Sequence, residues 1–162
     1  MIEIEIEDDA WTAALPEAAA VAERAATAAL GAAEGGVVVL LTDDETVRDL
    51  NARFRDRDRP TNVLSFPAAE MIIPGQAAPL GDVVLAHGVC VAEAVAQGKT
   101  LADHLSHLTV HGVLHLQGYD HETDAEAVQM ENLETEIITQ MGYADPYLSE
   151  KSADAERSHN HE

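Results

Sequence analysis

Three histidines lie close together in the segment HGVLHLQGYDH, residues 111–121. His111 and His115 are four residues apart, so on an α-helix both imidazoles lie on one face and can reach one metal ion. Gly118 can adopt a left-handed conformation that ends the helix and brings His121 back over that face. Three histidines that leave one coordination position open to water are typical of a catalytic zinc. The segment therefore predicts one Zn²⁺ per chain, held by these three histidines.

The residue after the first histidine is Gly112, where the metal helix of a zinc peptidase carries its catalytic glutamate. Zinc alone lowers the pKa of bound water towards about 7, so a neighbouring base helps but is not obligatory. Gly112 therefore disfavours a peptidase. His104 and His107 precede the set on nearly the same stripe of the helix. We expect them either to support the site or to be packing residues, with direct ligation as the less favoured alternative. Asp120 could either orient an imidazole or stabilise the turn.

The charge of the chain is strongly negative, with 30 acidic residues against nine Lys and Arg and a formal net charge of -21. Phosphates are repelled by most of such a surface, so any contact with a nucleic acid must be local. A solubility adaptation, for example to a salty cytoplasm, explains the acidity most simply. The scarce positive charge is concentrated within twelve positions, at Arg48, Arg53, Arg55, Arg57 and Arg59. We expect Asp56 and Asp58 to neutralise Arg57 and Arg59.

A length of 162 residues is enough to close one core, so we expect a single domain over residues 1–148. The polar segment 149–162 is expected to be a disordered acidic tail. No stretch reaches the roughly 18 apolar residues of a membrane span, and the acidic N-terminus lacks the basic character of a signal peptide. We therefore expect a cytoplasmic protein. Cys90, the single cysteine, is expected to be a small buried residue.

The first half of the chain alternates strand and helix patterns. The period-two segment IEIEIE predicts a half-exposed strand, and GGVVVLLT predicts a buried one. Between them, the alanine-rich residues from Trp11 to Leu30 predict one helix with a proline near its start. Thr42 and Glu45 predict a capping box for a short helix that ends near Ala52. TNVLSF and GDVVLA predict two further strands.

The second half is helical. Gly98 is expected to end one helix, Thr100 and Asp103 to begin the histidine-bearing helix, and Thr123 and Glu126 to cap a last one. The apolar stripe of that last helix consists of Met130, Leu133, Ile137 and Met141. The resulting order, β-α-β-α-β-β-α-α-α, predicts an α+β (α/β layer) fold in which helices pack on a small, mixed, four-stranded sheet.

The histidine segment strongly resembles the H-x3-H-x5-H signature of the YbeY family of bacterial single-strand-specific metalloendoribonucleases, which act in ribosomal RNA processing. A second segment, FRDRDRPTNVLSFP at residues 54–67, is similar to the other hallmark of that family. LGDVVLA at 80–86 and GYADPY at 142–147 also fit, in the same order. The resemblance covers most of residues 36–148.

The resemblance implies roles for particular residues. His111, His115 and His121 match the metal ligands of the family, normally taken to be zinc ligands on a zincin-like helix. Arg55 matches the arginine that the family places near the metal and needs for activity, and arginine can hold two phosphate oxygens in a bidentate fork. We therefore expect Arg55 and a zinc-bound water to carry the chemistry. Residues expected only to support or shape the site are Asn62, Ser65, Asp82, His107 and Asp120.

The resemblance implies a zinc-dependent endoribonuclease acting on single-stranded RNA in ribosomal RNA maturation, including the 3′ end of 16S ribosomal RNA, and in ribosome quality control. The expected partners are ribosomal RNA and the small ribosomal subunit with its proteins, with no DNA and no membrane. Few aromatic residues are available for base stacking, so we expect weak sequence preference. Two alternatives stay open: a ribosome-assembly factor with a mainly structural metal, which suits the acidic surface, and a metal-dependent hydrolase of another substrate.

Overall fold

The structure, a computed structural model, describes residues 1–68, 79–120 and 122–147. Within these ranges four strands form one sheet: β1 (Ile2–Ile6), β2 (Val37–Thr42), β3 (Val63–Pro67) and β4 (Gly81–Ala86). The strand order is β1-β2-β4-β3, in which β1, β2 and β4 are parallel and β3 is antiparallel to β4. The predicted small mixed sheet is therefore confirmed, and β3 is an edge strand whose outer backbone groups are available to other elements.

The described residues form six helices: α1 (Ala10–Ala14), α2 (Ala18–Leu30), α3 (Asp44–Arg55), α4 (His87–Gln97), α5 (Leu101–Leu116) and α6 (Asp124–Gln140). One face of the sheet packs with α2 and α5 around a core that includes Val39, Val83 and Leu105. The other face packs with α3 through Val47 and Val84. Because α6 packs against α5 and α2, α5 is enclosed on several sides. None of these helices is long and apolar enough to cross a membrane.

The expectation of one helix from Trp11 to Leu30 is wrong, because the chain forms α1 and α2 with a break between them. Leu15 has an extended backbone with φ of -144°, since the ring of the following Pro16 disfavours helical geometry at the preceding residue. Trp11 is fully buried in α1, and its indole Nε1 donates to the carbonyl of Thr42 at 2.9 Å. The break therefore lets α1 pack beside the end of β2.

The expected start and end of α3 are also wrong. The N-cap is Asp43 instead of Thr42, and its carboxylate accepts a hydrogen bond from the Thr46 amide at 2.7 Å. Thr42 is still part of β2 and donates its hydroxyl to Glu7. At the other end, α3 continues past Ala52 to Arg55 and ends at a left-handed Asp56. This longer helix places Arg55 in its last turn.

The other predicted helix ends are confirmed. Gly98 follows α4 in the left-handed conformation, and the Thr100 hydroxyl accepts from the Asp103 amide at the start of α5. Thr123 and Glu126 form a reciprocal capping box on α6. Cys90 is buried as expected, and that burial raises the pKa of its thiol. The predicted tail at residues 149–162 lies outside the described residues.

Candidate active site

His111 and His115 lie one turn apart on α5, and their Nε2 atoms face each other at 3.1 Å. Two imidazole nitrogens that ligate one tetrahedral zinc stand about 3.3 Å apart, given Zn–N distances near 2.0–2.1 Å. The pair therefore fits two positions of a zinc site. His121, the predicted third ligand, lies outside the described residues. Within the described ranges no group of three or more His, Cys, Asp or Glu side chains is arranged to hold a metal ion.

Behind this pair, the carboxylate of Glu134 from α6 accepts three hydrogen bonds. Its Oε2 accepts from Nδ1 of His111 at 3.0 Å, and its Oε1 accepts from Nε2 of His107 at 2.6 Å and from the Tyr147 hydroxyl at 2.7 Å. An ionised carboxylate only accepts, so a neutral His111 carries its proton on Nδ1 and keeps the lone pair on Nε2. This is the tautomer that can bind a metal through Nε2.

Glu134 stays ionised although it is fully buried. Burial by itself would raise the pKa of its carboxyl group, but the hydrogen bonds from His107 and His111 outweigh that effect and lower the pKa to about 2. Such a carboxylate behind a metal-binding histidine fixes the orientation of the ring and increases its basicity. The structure thus places His107 behind His111, as a second partner of Glu134.

Sequence reasoning missed both Glu134 and Tyr147. A signal for Glu134 was present, because it lies four residues after Met130 and four before Ile138, both of which are buried on α6. Positions four apart share one helix face, so this glutamate falls on an apolar stripe. A charged residue is rarely fully buried unless it is paired, which would have suggested a buried partner.

Gly112 allows α5 to lie directly against the sheet. A Cβ atom at this position would stand 2.5 Å from Cγ1 of Val83 and 3.2 Å from Oγ of Ser65. The Ser65 hydroxyl in turn donates to the Gly112 carbonyl at 3.0 Å. The absence of a glutamate after the first histidine is therefore a packing requirement of this fold, because there is no room here for the base of a peptidase.

A cleft of about 560 Å³ opens between α5 and β3. The predicted site residues that the structure brings together in its walls are Arg55, Asn62, Ser65, His111, His115 and Asp120. Two of the predicted residues lie elsewhere. His107 stands behind His111, and Asp82 is exposed on β4, on the side of the sheet that Val84 shares with α3. Asp82 therefore does not shape this cleft.

Asn62, which lines the cleft, and His104, which does not, both contact the carboxylate of Glu93. Glu93 Oε1 accepts from Nδ2 of Asn62 at 3.0 Å and lies 2.8 Å from Nε2 of His104. Burial lowers the pKa of His104, although Glu93 acts in the opposite direction. His104 and Asn62 thus share Glu93, and the supporting role expected of His104 stays a prediction.

Arg55 reaches from the end of α3 around the edge strand to the cleft. Its Nη2 donates to the Ser65 carbonyl at 2.8 Å, and its Nη1 donates to the Phe54 carbonyl at 3.2 Å. The guanidinium carbon lies 4.8 Å from the centre of the Phe66 ring, within the range of a cation–π contact. The edge strand thus holds this cation at the rim of the cleft that contains the two histidines.

The expected neutralisation of Arg57 and Arg59 by their sequence neighbours is wrong. Asp58 instead binds Arg48 on α3, with Nε and Oδ1 at 2.8 Å. The left-handed turn at Asp56 reverses the chain after α3 and brings residue 58 back to that helix. Among the described side chains, neither Arg57 nor Arg59 forms an ion pair, and both are exposed.

Comparisons with known proteins agree with this arrangement. The family model described as Endoribonuclease YbeY matches residues 2–142. The Endoribonuclease YbeY of Paramagnetospirillum magneticum is 52% identical over 155 residues, which cover 90% of this chain and 94% of that protein. The Endoribonuclease YbeY of Azorhizobium caulinodans is 50% identical over 155 residues, which cover 90% of this chain and 95% of that protein. A solution structure of a Thermotoga maritima protein aligns with a TM-score of 0.53 at 25% identity, over 93% of this chain and 95% of that one. The chain belongs to the Endoribonuclease YbeY family.

Proposed function

We propose that the protein is a zinc-dependent endoribonuclease that cleaves single-stranded RNA in the cleft between α5 and β3. One observation supports this most. A histidine pair with its metal-binding nitrogens 3.1 Å apart and an arginine guanidinium line the same cleft. Its curated relatives carry the name Endoribonuclease YbeY. When bound, zinc supplies a Lewis acid and lowers the pKa of coordinated water.

The residues of the chain have separate tasks in this proposal. His111 and His115 would hold the ion, with His121 as the third ligand. Glu134 keeps the proton of His111 on Nδ1, so that the lone pair on Nε2 can face the ion. Among the described residues, Arg55 uses two of its five N–H donors on backbone carbonyls, which leaves three for phosphate oxygens. Charge that develops on those oxygens during cleavage is stabilised by such a fixed donor.

The proposed setting is ribosomal RNA maturation in the cytoplasm, including the 3′ end of 16S ribosomal RNA, and ribosome quality control. One zinc ion per chain and a catalytic domain over residues 1–148 belong to this proposal. The net charge of -21 means that the RNA must be held by local cations. Arg55 lines the cleft, and Arg57 and Arg59 lie in sequence between Arg55 and the next residues that line it, Thr61 and Asn62.

A ribosome-assembly factor with a mainly structural metal is the second candidate. The acidic surface favours it, because basic ribosomal proteins bind such a surface better than naked RNA does. The two candidates differ in what His115→Ala does. A structural metal predicts that this variant unfolds, whereas a catalytic metal predicts a folded chain that does not cleave RNA.

The proposed function is tested by cleavage of a labelled single-stranded RNA by the zinc-loaded protein. We expect Arg55→Ala to lower kcat by about 100-fold or more, because one transition-state donor is lost. Arg48→Ala is the matched control. Arg48 is one of the five arginines within residues 48–59, but it binds Asp58 and does not line the cleft. Cleavage by Arg55→Ala at the wild-type rate, or no cleavage by the wild type above a nuclease blank, would contradict the proposal.

A further inference from the structure

Phe54 exposes an aromatic ring to solvent at the end of α3. Its relative exposure is 59%, and every other aromatic residue in the described ranges is at least partly buried. The ring lies edge-to-face against Phe66, with centroids 5.5 Å apart and planes at 69°. A single exposed apolar side chain is common and does not by itself indicate a site. Phe54, however, contacts Phe66, which in turn contacts Arg55 at the rim of the cleft.

The ring is connected to the cleft through Phe66 and Arg55. The Arg55 guanidinium lies 4.8 Å from the centre of the Phe66 ring and also lines the cleft with the two histidines. Side chains alternate along a strand, so Ser65 points to the α5 side and Phe66 to the α3 side. Arg55 therefore bridges the edge of the sheet, and the cleft, the guanidinium and the two rings form one continuous surface.

The charge around this surface suits a polyanion. Arg57 and Arg59 are exposed and without an ion pair among the described residues. Two of the three acids between Asp49 and Arg59 are engaged, since Asp49 pairs with Arg53 and Asp58 with Arg48, which leaves Asp56 as the acid without an ion pair among the described residues. Among the described residues of this chain of net charge -21, this is the place where exposed arginines without an ion pair and an exposed aromatic ring occur together. Unpaired RNA combines phosphates for the arginines with flat bases for the ring.

We propose that Phe54, supported by Phe66 and Arg55, is a stacking platform for one unpaired nucleobase of the RNA that enters the cleft. The platform rests on the proposed function and gives it a physical basis for single-strand specificity. A base within a duplex has both faces covered by its neighbours, whereas an unpaired base has a face free to stack on the ring. Stacking of this kind tolerates any base, which agrees with weak sequence preference.

The first test compares Phe54 variants in cleavage of a labelled single-stranded RNA by the zinc-loaded protein. We expect Phe54→Ala to raise KM about tenfold with kcat within about twofold of wild type, because one stacking contact is lost. Phe54→Tyr should restore KM. Phe54→Leu, which keeps apolar packing against Phe66 but has no π face, should not. Val128→Ala removes another exposed apolar side chain, on α6, and should behave as wild type. An unchanged KM in Phe54→Ala, or full restoration by Phe54→Leu, would overturn the platform.

The second test does not depend on cleavage. In Phe54→Trp the new indole should be quenched by single-stranded RNA and not by a duplex of the same sequence. The wild-type protein gives the background, because its only tryptophan, Trp11, is buried. Equal quenching of both proteins would overturn the platform. A wild-type chain that cleaves no RNA, together with quenching specific to Phe54→Trp, would overturn the proposed enzymatic function and still support the platform.

Discussion

At the scale of single residues, the candidate site depends on a carboxylate that is fully buried and does not line the cleft. Glu134 accepts from His111, His107 and Tyr147, and it can do so only because it is ionised. An amide at this position has one acceptor and one donor end, so at least one histidine would face a donor and change its tautomer or move. The affinity of the site for zinc is therefore expected to depend on the charge of Glu134.

We predict that Glu134→Gln lowers zinc affinity by about 10- to 100-fold, the usual effect of losing the carboxylate partner of a metal-binding histidine. Competition with a chromogenic chelator measures this without any RNA. Glu131→Gln is the matched control, because Glu131 is on the exposed side of the same helix. Equal zinc affinity of Glu134→Gln and wild type would show that the carboxylate does not position His111.

The same residue predicts a pH dependence of stability in the metal-free protein. The pKa of Glu134 is about 2 in the folded chain, against an ordinary value of 4.5. A carboxyl group with a lowered pKa contributes stability that is fully present above its unfolded pKa and is lost as the pH falls towards the folded pKa. This difference corresponds to about 3 kcal/mol. Urea unfolding should therefore show the advantage of wild type over Glu134→Gln shrinking between pH 4.5 and pH 2, and a constant difference would contradict this.

The sequence spacing predicted that His111 and His115 lie side by side, because residues four apart on one helix share a face. Glu134 lies on a different helix, and the crossing of α5 and α6 that joins it to His111 is not encoded in local spacing. The expected pairing of Arg57 and Arg59 failed for a related reason. Sequence neighbours were assumed to be spatial neighbours, but the left-handed turn at Asp56 sends Asp58 to Arg48 instead.

At the scale of elements, the close packing of α5 on the sheet is the constraint that positions the histidines. Gly112→Ala would place a methyl group 2.5 Å from Cγ1 of Val83, which is fully buried and cannot move away freely. We predict a net loss of about 1–2 kcal/mol in the free energy of unfolding, since overpacking outweighs the gain of up to about 1 kcal/mol in helix propensity. Gly36→Ala is the control, because a Cβ there meets nothing within 4 Å.

Urea unfolding of both variants measures this difference. A Gly112→Ala chain as stable as wild type would mean that α5 can shift away from β4 without cost. The sequence showed only that Gly112 replaces the peptidase glutamate. The reason became visible with the register of β3 and β4, which places Val83 and Ser65 opposite each other under this glycine. The four strands and the later helices were predicted from local patterns, whereas the distances between packed elements depend on the side chains of both partners.

At the scale of the whole molecule, the net charge of -21 makes the acidic side chains repel one another, and this repulsion destabilises the folded chain. Salt screens such repulsion, with a Debye length that falls from about 10 Å at 0.1 M to about 3 Å at 1 M. We therefore predict that the melting temperature rises when sodium chloride is increased over this range. Thermal unfolding followed by circular dichroism measures it, and a melting temperature that stays constant or falls would contradict a salt-adapted surface.

The α+β class and the four strands followed from the order of the sequence patterns. The split of α1 from α2 and the two ends of α3 did not. Leu15 is extended because a proline follows it, Thr42 belongs to β2, and α3 continues past Ala52 until the left-handed Asp56 ends it. That extension matters for the whole site, since it carries Arg55 to the edge of the sheet and joins the arginine cluster to the histidine cleft.

The decisive experiment is to strip the protein of metal and measure cleavage of a labelled single-stranded RNA as zinc is added back. Wild type should be inactive without metal and fully active at about one equivalent, because one ion completes the site. His115→Ala should keep the circular dichroism spectrum of wild type and stay inactive at that equivalent. Full cleavage by the stripped wild type, or by His115→Ala, would contradict a zinc-dependent ribonuclease centre on α5.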